Sequence, residues 1–208
     1  MKMKKMVGSC LVVLILSGIQ VSAQNSGSRD PMTEGTWLIN FGFGPGIHYY
    51  SGYPAGFGPG FQASFEKGMW QLGPGVLTLG AEIGTSYFSY KYSGGYFNNG
   101  IFYNGDTYSY KWLSIVTSSR CSYHYGWKVK GLDTYGGVST GMRFLFFSRK
   151  YYGNYSGIID NGYNPGSVSF FFGTFVGGSY FFNNKIGING ELGYNINYAQ
   201  IGLVFKLN

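Results

Sequence analysis

Apolar and polar residues exchange places at every second position through most of the chain. Over 199–207, Ala199, Ile201, Leu203, Phe205 and Leu207 fall on one side, and Gln200, Gly202 and Lys206 on the other. A period of two is the signature of a strand with two unlike faces. The pattern recurs upstream. Ile186, Ile188, Leu192, Tyr194 and Ile196 oppose Gly187, Asn189, Glu191 and Gly193. Val168, Phe170, Phe172, Val176, Tyr180 and Phe182 form another stripe. Leu132, Val138, Met142, Phe144 and Phe146 oppose Asp133, Ser139, Gly141 and Arg143. Leu113, Ile115, Cys121, Tyr123 and Tyr125 oppose Ser114, Ser118, Arg120, Ser122 and His124. Leu77, Leu79, Ala81, Ile83 and Tyr87 oppose Thr78, Gly80, Glu82, Gly84 and Ser86. Phe61, Ala63 and Phe65 oppose Gln62, Ser64 and Glu66, and Trp37, Ile39, Phe41 and Phe43 oppose Asn40, Gly42 and Gly44. The chain is therefore predicted to be all-β, with about eight antiparallel strands.

Connections of two kinds separate these segments. Long ones are predicted at 49–57, 93–106 and 148–166, and short ones at 73–75, 127–131 and 183–184. Long and short alternate, as in an up-and-down barrel whose two ends face different compartments. The last connection, near Asn197, is short although it falls on the long-loop end.

The first residues follow a different logic. Lys2, Lys4 and Lys5 precede an apolar run over 11–19, and Val21-Ser22-Ala23 supplies small residues beyond it. This is the layout of a secretory signal peptide over 1–23, cleaved after Ala23 and too short to span a membrane. Cys10 precedes the apolar run, where a lipoprotein cysteine would follow it. The polar stretch 24–35 reads as a flexible N-terminal arm, and 36–208 as the barrel domain.

Composition decides which face is inside. Asp, Glu, Lys and Arg make up 11% of the 208 residues, against about 25% in a soluble domain. The polar stripes carry mainly Gly, Ser, Thr and Asn, side chains that fit a crowded interior, whereas a soluble lipocalin-like barrel would bathe its polar face in water and fill it with Lys and Glu. The apolar stripes are rich in Phe, Tyr and Leu and suit lipid and its aromatic girdles. Removing the leader takes three lysines from a formal charge of +7. No Lys/Arg cluster remains, so nucleic-acid binding has no support. With Cys121 as the one cysteine outside the leader, an internal disulfide is excluded.

The signal peptide, the strand texture G-A-E-I-G-T-S-Y and I-N-G-E-L-G-Y, and the terminal I-G-L-V-F-K-L-N together resemble the small outer-membrane β-barrel family of Gram-negative bacteria, the OmpA/OmpX-like "porin family" barrels. The resemblance implies a transmembrane barrel in the outer membrane, with outer-membrane lipids and the barrel-insertion machinery as partners, and no cofactor. The last strand of that family usually ends in an aromatic residue; here Leu207-Asn208 come last, and Phe205 is the nearest aromatic.

Candidate chemistry is sparse. Glu66, Glu82 and Glu191 fall on the polar face with Arg120, Arg143 and Lys206, and are expected to pair as a charge network inside the lumen, because an unpaired buried charge is costly. Ile201, Leu203, Phe205 and Leu207 are expected to face lipid on the strand that closes the barrel. G-F-G-P-G occurs at 42–46 and 56–60, without the Lys-Ser/Thr of a phosphate loop. His48, His124 and Cys121 lack metal-ligand spacing, so no metal site is expected. Ser122-Tyr123-His124 places a hydroxyl and an imidazole on one face, with no acidic orienter evident in the sequence. The Tyr/Asn/Gly-rich connections 93–106 and 148–166 are candidates for binding an extracellular partner. A non-enzymatic envelope protein with a mostly plugged lumen is the leading expectation. A narrow channel for small solutes is the alternative, and a lipid-modifying enzyme comes third.

Overall fold

The computed structural model describes residues 32–46, 58–152, 163–194 and 196–207. Eight strands follow in order: β1 (Trp37–Gly46), β2 (Gly58–Leu72), β3 (Gly75–Asn98), β4 (Ile101–Gly126), β5 (Leu132–Tyr152), β6 (Tyr163–Phe181), β7 (Ile186–Gly193) and β8 (Ala199–Leu207). Each pairs antiparallel with its sequence neighbours, and β8 pairs with β1 from Trp37↔Leu207 to Phe43↔Ile201, which closes the barrel. Closure satisfies the backbone groups that an open edge would leave bare.

The alternation sets the faces. Phe41, Phe61, Ile83, Leu113, Val138, Met142, Phe170, Phe172, Ile188 and Leu203 all point outward and are exposed, while Asn40, Gln62, Glu82, Ser114, Ser139, Asn189 and Gln200 are buried inside. Ile201, Leu203 and Leu207 are exposed on the outer face of β8, with Ile201 at 75%. Phe205, also outward, packs edge-on against Phe41 at 6.2 Å between ring centroids.

Strand lengths differ greatly. β1, β7 and β8 have 10, 8 and 9 residues, close to the nine to eleven that one membrane crossing takes. β3 and β4 have 24 and 26, so they run on beyond the mouth by roughly 45 Å of strand at 3.3 Å per residue. The region 93–106, expected from its Gly and Asn content to be a loop, is instead mostly a paired hairpin from Ser93↔Thr107 to Asn98↔Ile101. Its turn is Asn99-Gly100, with φ of 50° and 79°, the left-handed pair that a two-residue hairpin turn demands. Of the expected loop 148–166, Ser148 to Tyr152 belong to β5 and Tyr163 onward to β6. Residues 153–162 lie outside the described residues, as do the expected loop 49–57 and the expected signal peptide 1–23. The expected arm 24–35 is described only from Met32. There it is tied down: Gly35 N–H donates to Gly68 O, and Met32 is buried against the barrel.

Inward side chains lie in three layers. At the short-turn end, Met32, Leu38, Val76, Phe181 and Val204 form an apolar cluster. At the opposite end, Val116, Phe171 and Ile196 form a second. Ile196 was expected on the outer stripe of β7. That strand ends at Gly193, and beyond it Ile196 turns inward at the mouth and is 2% exposed. Gly84 provides its seat, since a Cβ there would overlap the Ile196 side chain. Between the two clusters lies the polar layer.

Candidate functional site: a buried charge cluster inside the barrel

Arg120, on the inward face of β4, is the hub of that layer and is 2% exposed. Nε donates to Glu66 Oε1 at 2.8 Å, Nη1 to Glu82 Oε2 at 3.0 Å, and Nη2 to Glu191 Oε2 at 2.5 Å. Thus β2, β3 and β7 each send one carboxylate across the lumen to the same guanidinium, whose planar fork of donors suits several carboxylates at once. The guanidinium carbon also sits 3.6 Å from the centroid of the Phe175 ring on β6.

Short hydroxyl and amide side chains saturate the carboxylates. Thr78 Oγ1 and Ser122 Oγ each donate to Glu66 Oε2 at 2.7 Å. Ser118 Oγ donates to Glu82 Oε1 at 2.7 Å and Gln62 Nε2 to Glu82 Oε2 at 3.2 Å. Gln200 Nε2 donates to Glu191 Oε1 at 3.2 Å, and Gln200 Oε1 accepts from Asn197 Nδ2 at 3.0 Å, which extends the network to the mouth. In a medium of low dielectric such completeness decides whether a buried charge is tolerated.

Toward the short-turn end, His124 Nδ1 pairs with Asp133 Oδ2 at 2.7 Å, and Nε2 lies 3.5 Å from Glu66 Oε2. Sequence reading missed Asp133 as an orienter for His124. The signal was available: the turn at 127–131 returns the chain so that Gly126 pairs with Asp133, and the His124 and Asp133 side chains share the inward face. An Asp–His pair next to Ser122 invites comparison with a hydrolytic triad, which needs the hydroxyl on the far imidazole nitrogen. Here Ser122 Oγ and His124 Nε2 both face Glu66. All these groups are buried.

Of the six charged residues expected to form the network, Glu66, Glu82, Glu191 and Arg120 meet. Arg143 and Lys206 do not join them. The Arg143 side chain lies over the Phe171 ring, 5.3 Å from its centroid, and Arg143 pairs with Val116, four residues along β4 from Arg120. Lys206 stands near the end of β8, opposite Leu38, and makes no ion pair among the described residues. Sequence reading also missed the aromatic part of the interior. Tyr135, Phe171, Phe175 and Phe181 occupy positions opposite the outer stripes and are buried, with the Tyr135 and His124 rings stacked at 5.0 Å. Among the described residues no group of His, Cys, Asp and Glu is placed to hold a metal ion.

Above the mouth, the lumen-side face of β3–β5 carries a run of ring contacts. Trp112 meets Phe88 at 5.4 Å, Tyr110 at 5.9 Å and Phe147 at 5.3 Å, and Tyr108 meets Tyr151 at 5.1 Å. The rings stiffen the part of the sheet that has no partner across a lumen.

The class of protein is thereby defined: a closed, eight-stranded, up-and-down β-barrel with an apolar exterior and a charged cluster buried inside. No family model and no curated protein matches the chain. Among solved structures, the chain is similar to the outer membrane protein OprG from Pseudomonas aeruginosa, at 12% identity over 85% of this chain and 98% of that one, with a TM-score of 0.44. It is also similar to Ail, the attachment invasion locus protein of Yersinia pestis, crystallised in complex with the heparin analogue sucrose octasulfate, at 11% identity over 84% and 100%, with a TM-score of 0.42. The N-terminal β-barrel domain of Pseudomonas aeruginosa OprF gives 16% identity over 84% and 98%, with a TM-score of 0.37. The likeness is one of fold, and the fold itself rests on the strand ladder described above.

Proposed function

We propose that the protein is a non-enzymatic outer-membrane barrel, closed to solutes, that contributes to envelope integrity and presents its projecting strands for surface interaction. The observation that carries this reading is the layered lumen. The Arg120 cluster lies between the apolar clusters around Leu38 and Ile196, so a solute would have to displace apolar side chains at both ends. Its outer face supports the membrane location: it presents Phe, Ile, Leu and Val without a polar covering, a surface that water would drive to aggregate. The β3–β4 hairpin stands well beyond one crossing length, and its Tyr-rich stretch around Tyr92 and Tyr108 suits partner contact.

Gel migration tests the barrel: the folded chain in detergent should run faster unheated than boiled. A purified chain that stays soluble without detergent contradicts the membrane reading. For the surface role, whole cells carrying a hairpin-trimmed chain should adhere less than cells carrying the intact one at equal barrel content.

A second reading, a narrow channel, has one observation in its favour. Asn40 Oδ1, Gln62 Oε1 and Asp133 Oδ1 are buried and accept no hydrogen bond from a described residue, and so offer polar contacts to a passing solute or water.

A further inference from the structure

We propose that the outer wall of the barrel holds a groove for one acyl chain of an outer-leaflet lipid. The groove, about 700 Å³, crosses four neighbouring strands at the long-strand end. Register explains its shape. One rung sets Phe61 and Phe43 beside Ile201 and Gly190, with the two Phe rings 5.1 Å apart. Farther along the strands, Pro45 faces Pro59 and Ala199 faces Leu192. Large side chains therefore wall the groove, while Gly190, Ala199 and the flat proline rings form its floor.

Gly190 is the informative residue. At Gly44, Gly187 and Gly202 an added Cβ would overlap a neighbouring backbone atom, so packing alone demands glycine there. At Gly190 the nearest atom to such a Cβ is Gln200 O at 3.9 Å, so the backbone leaves room for a side chain. What a side chain would fill is the groove itself.

The occupant follows from chemistry and position. The outward side chains lining the groove are Phe43, Pro45, Pro59, Leu192, Ala199 and Ile201, none of them charged. Just beyond lie Tyr194 and Tyr198, exposed and with ring centroids 6.2 Å apart, on the connection that ends the strands. Phenols at the interface above an apolar slot match a lipid whose polar head sits level with the rings and whose chain runs down the wall. This assignment rests on the membrane reading given above.

The test places the full chain in phosphatidylcholine vesicles that contain a phosphatidylcholine with a photoactivatable diazirine on one acyl chain. After illumination, adducts are mapped by peptide mass spectrometry. Labelling at Phe43, Leu192, Ala199 and Ile201 should be roughly tenfold above that at Ile83 and Phe172, a preference of about 1.4 kcal/mol. Gly190→Leu should reduce it to the level of those two positions. If Gly190→Leu fails to show heat-modifiable migration, Ala199→Val serves in its place. Equal labelling around an inserted barrel overturns the groove alone, as do cross-links between two copies of the chain at these residues. A chain that never enters the vesicles overturns the membrane reading and the groove with it.

Discussion

Arg120 and Glu191 stand 71 positions apart in the chain, yet Nη2 of one lies 2.5 Å from Oε2 of the other. The contact spans the lumen from β4 to β7, two strands that share no ladder. With Glu66 and Glu82 on the remaining donors, one guanidinium ties together strands from both halves of the chain. Such a contact forms only once the barrel has closed, so it reports closure as well as stabilising it.

Loss of the hub should be severe. Arg120→Met leaves three buried carboxylates facing one another, and removing one partner of a buried ion pair costs about 3–5 kcal/mol. Urea unfolding in lipid vesicles, followed by tryptophan fluorescence, should show a drop of at least that size. Glu82→Gln keeps a side-chain oxygen for Ser118 Oγ–H and removes one negative charge from a cluster in which carboxylates outnumber cations. That variant should lose less than half as much.

Glycine positions should divide by what a side chain meets. A Cβ at Gly202 would overlap Phe41 O across the β1–β8 seam, whereas one at Gly190 meets open space. Gly202→Val should therefore prevent heat-modifiable folding, and Gly190→Val should leave it intact. Equal behaviour of the two variants would contradict the seam geometry.

Outward residues should answer to depth. Leu203 sits midway along β8 on the exposed face. Leu203→Arg should cost about 2–4 kcal/mol, the range for a cation at the bilayer midplane, while Trp127→Arg at the short-turn rim should cost about 0–1. The check is again equilibrium unfolding from vesicles. A cost at Trp127 as large as at Leu203 would place the membrane elsewhere.

The projecting hairpin should be separable from the barrel. Replacing residues 94–106 by Asn-Gly retains the Ser93↔Thr107 rung and supplies a two-residue turn. Gel migration should be unchanged, because the removed residues lie beyond the lumen clusters. Slowed or absent folding would show that the outer sheet takes part in closing the barrel.

How far the sequence foretold this structure depends on the feature. Strand faces were legible because a period of two is written into each segment, and Phe41, Glu82 and Leu203 lie on the faces their neighbours imply. The hairpin over 93–106 was not. Its Gly, Asn and Ser composition is that of a loop, and beyond the membrane no lipid requires an apolar stripe to betray the strand. Ile196 misled for a related reason. The alternation runs on through it, but the chain leaves the sheet after Gly193, and burial in the mouth suits an isoleucine as well as lipid does. The partners of Arg120 could be named as charges on one face, while their meeting depended on the register across strands. Arg143 shared the face but not the level. His124 and Asp133 lie nine positions apart and needed the turn at 127–131 to be read as a tight hairpin.

The sealed lumen proposed here is tested most directly by single-channel recording in planar bilayers. The intact chain should insert without steady conductance steps. Arg120→Met, if it folds, should open intermittently as its carboxylates repel one another. Steady conductance from the intact chain, shifted by Glu82→Gln, would contradict the sealed barrel and establish the narrow channel in its place.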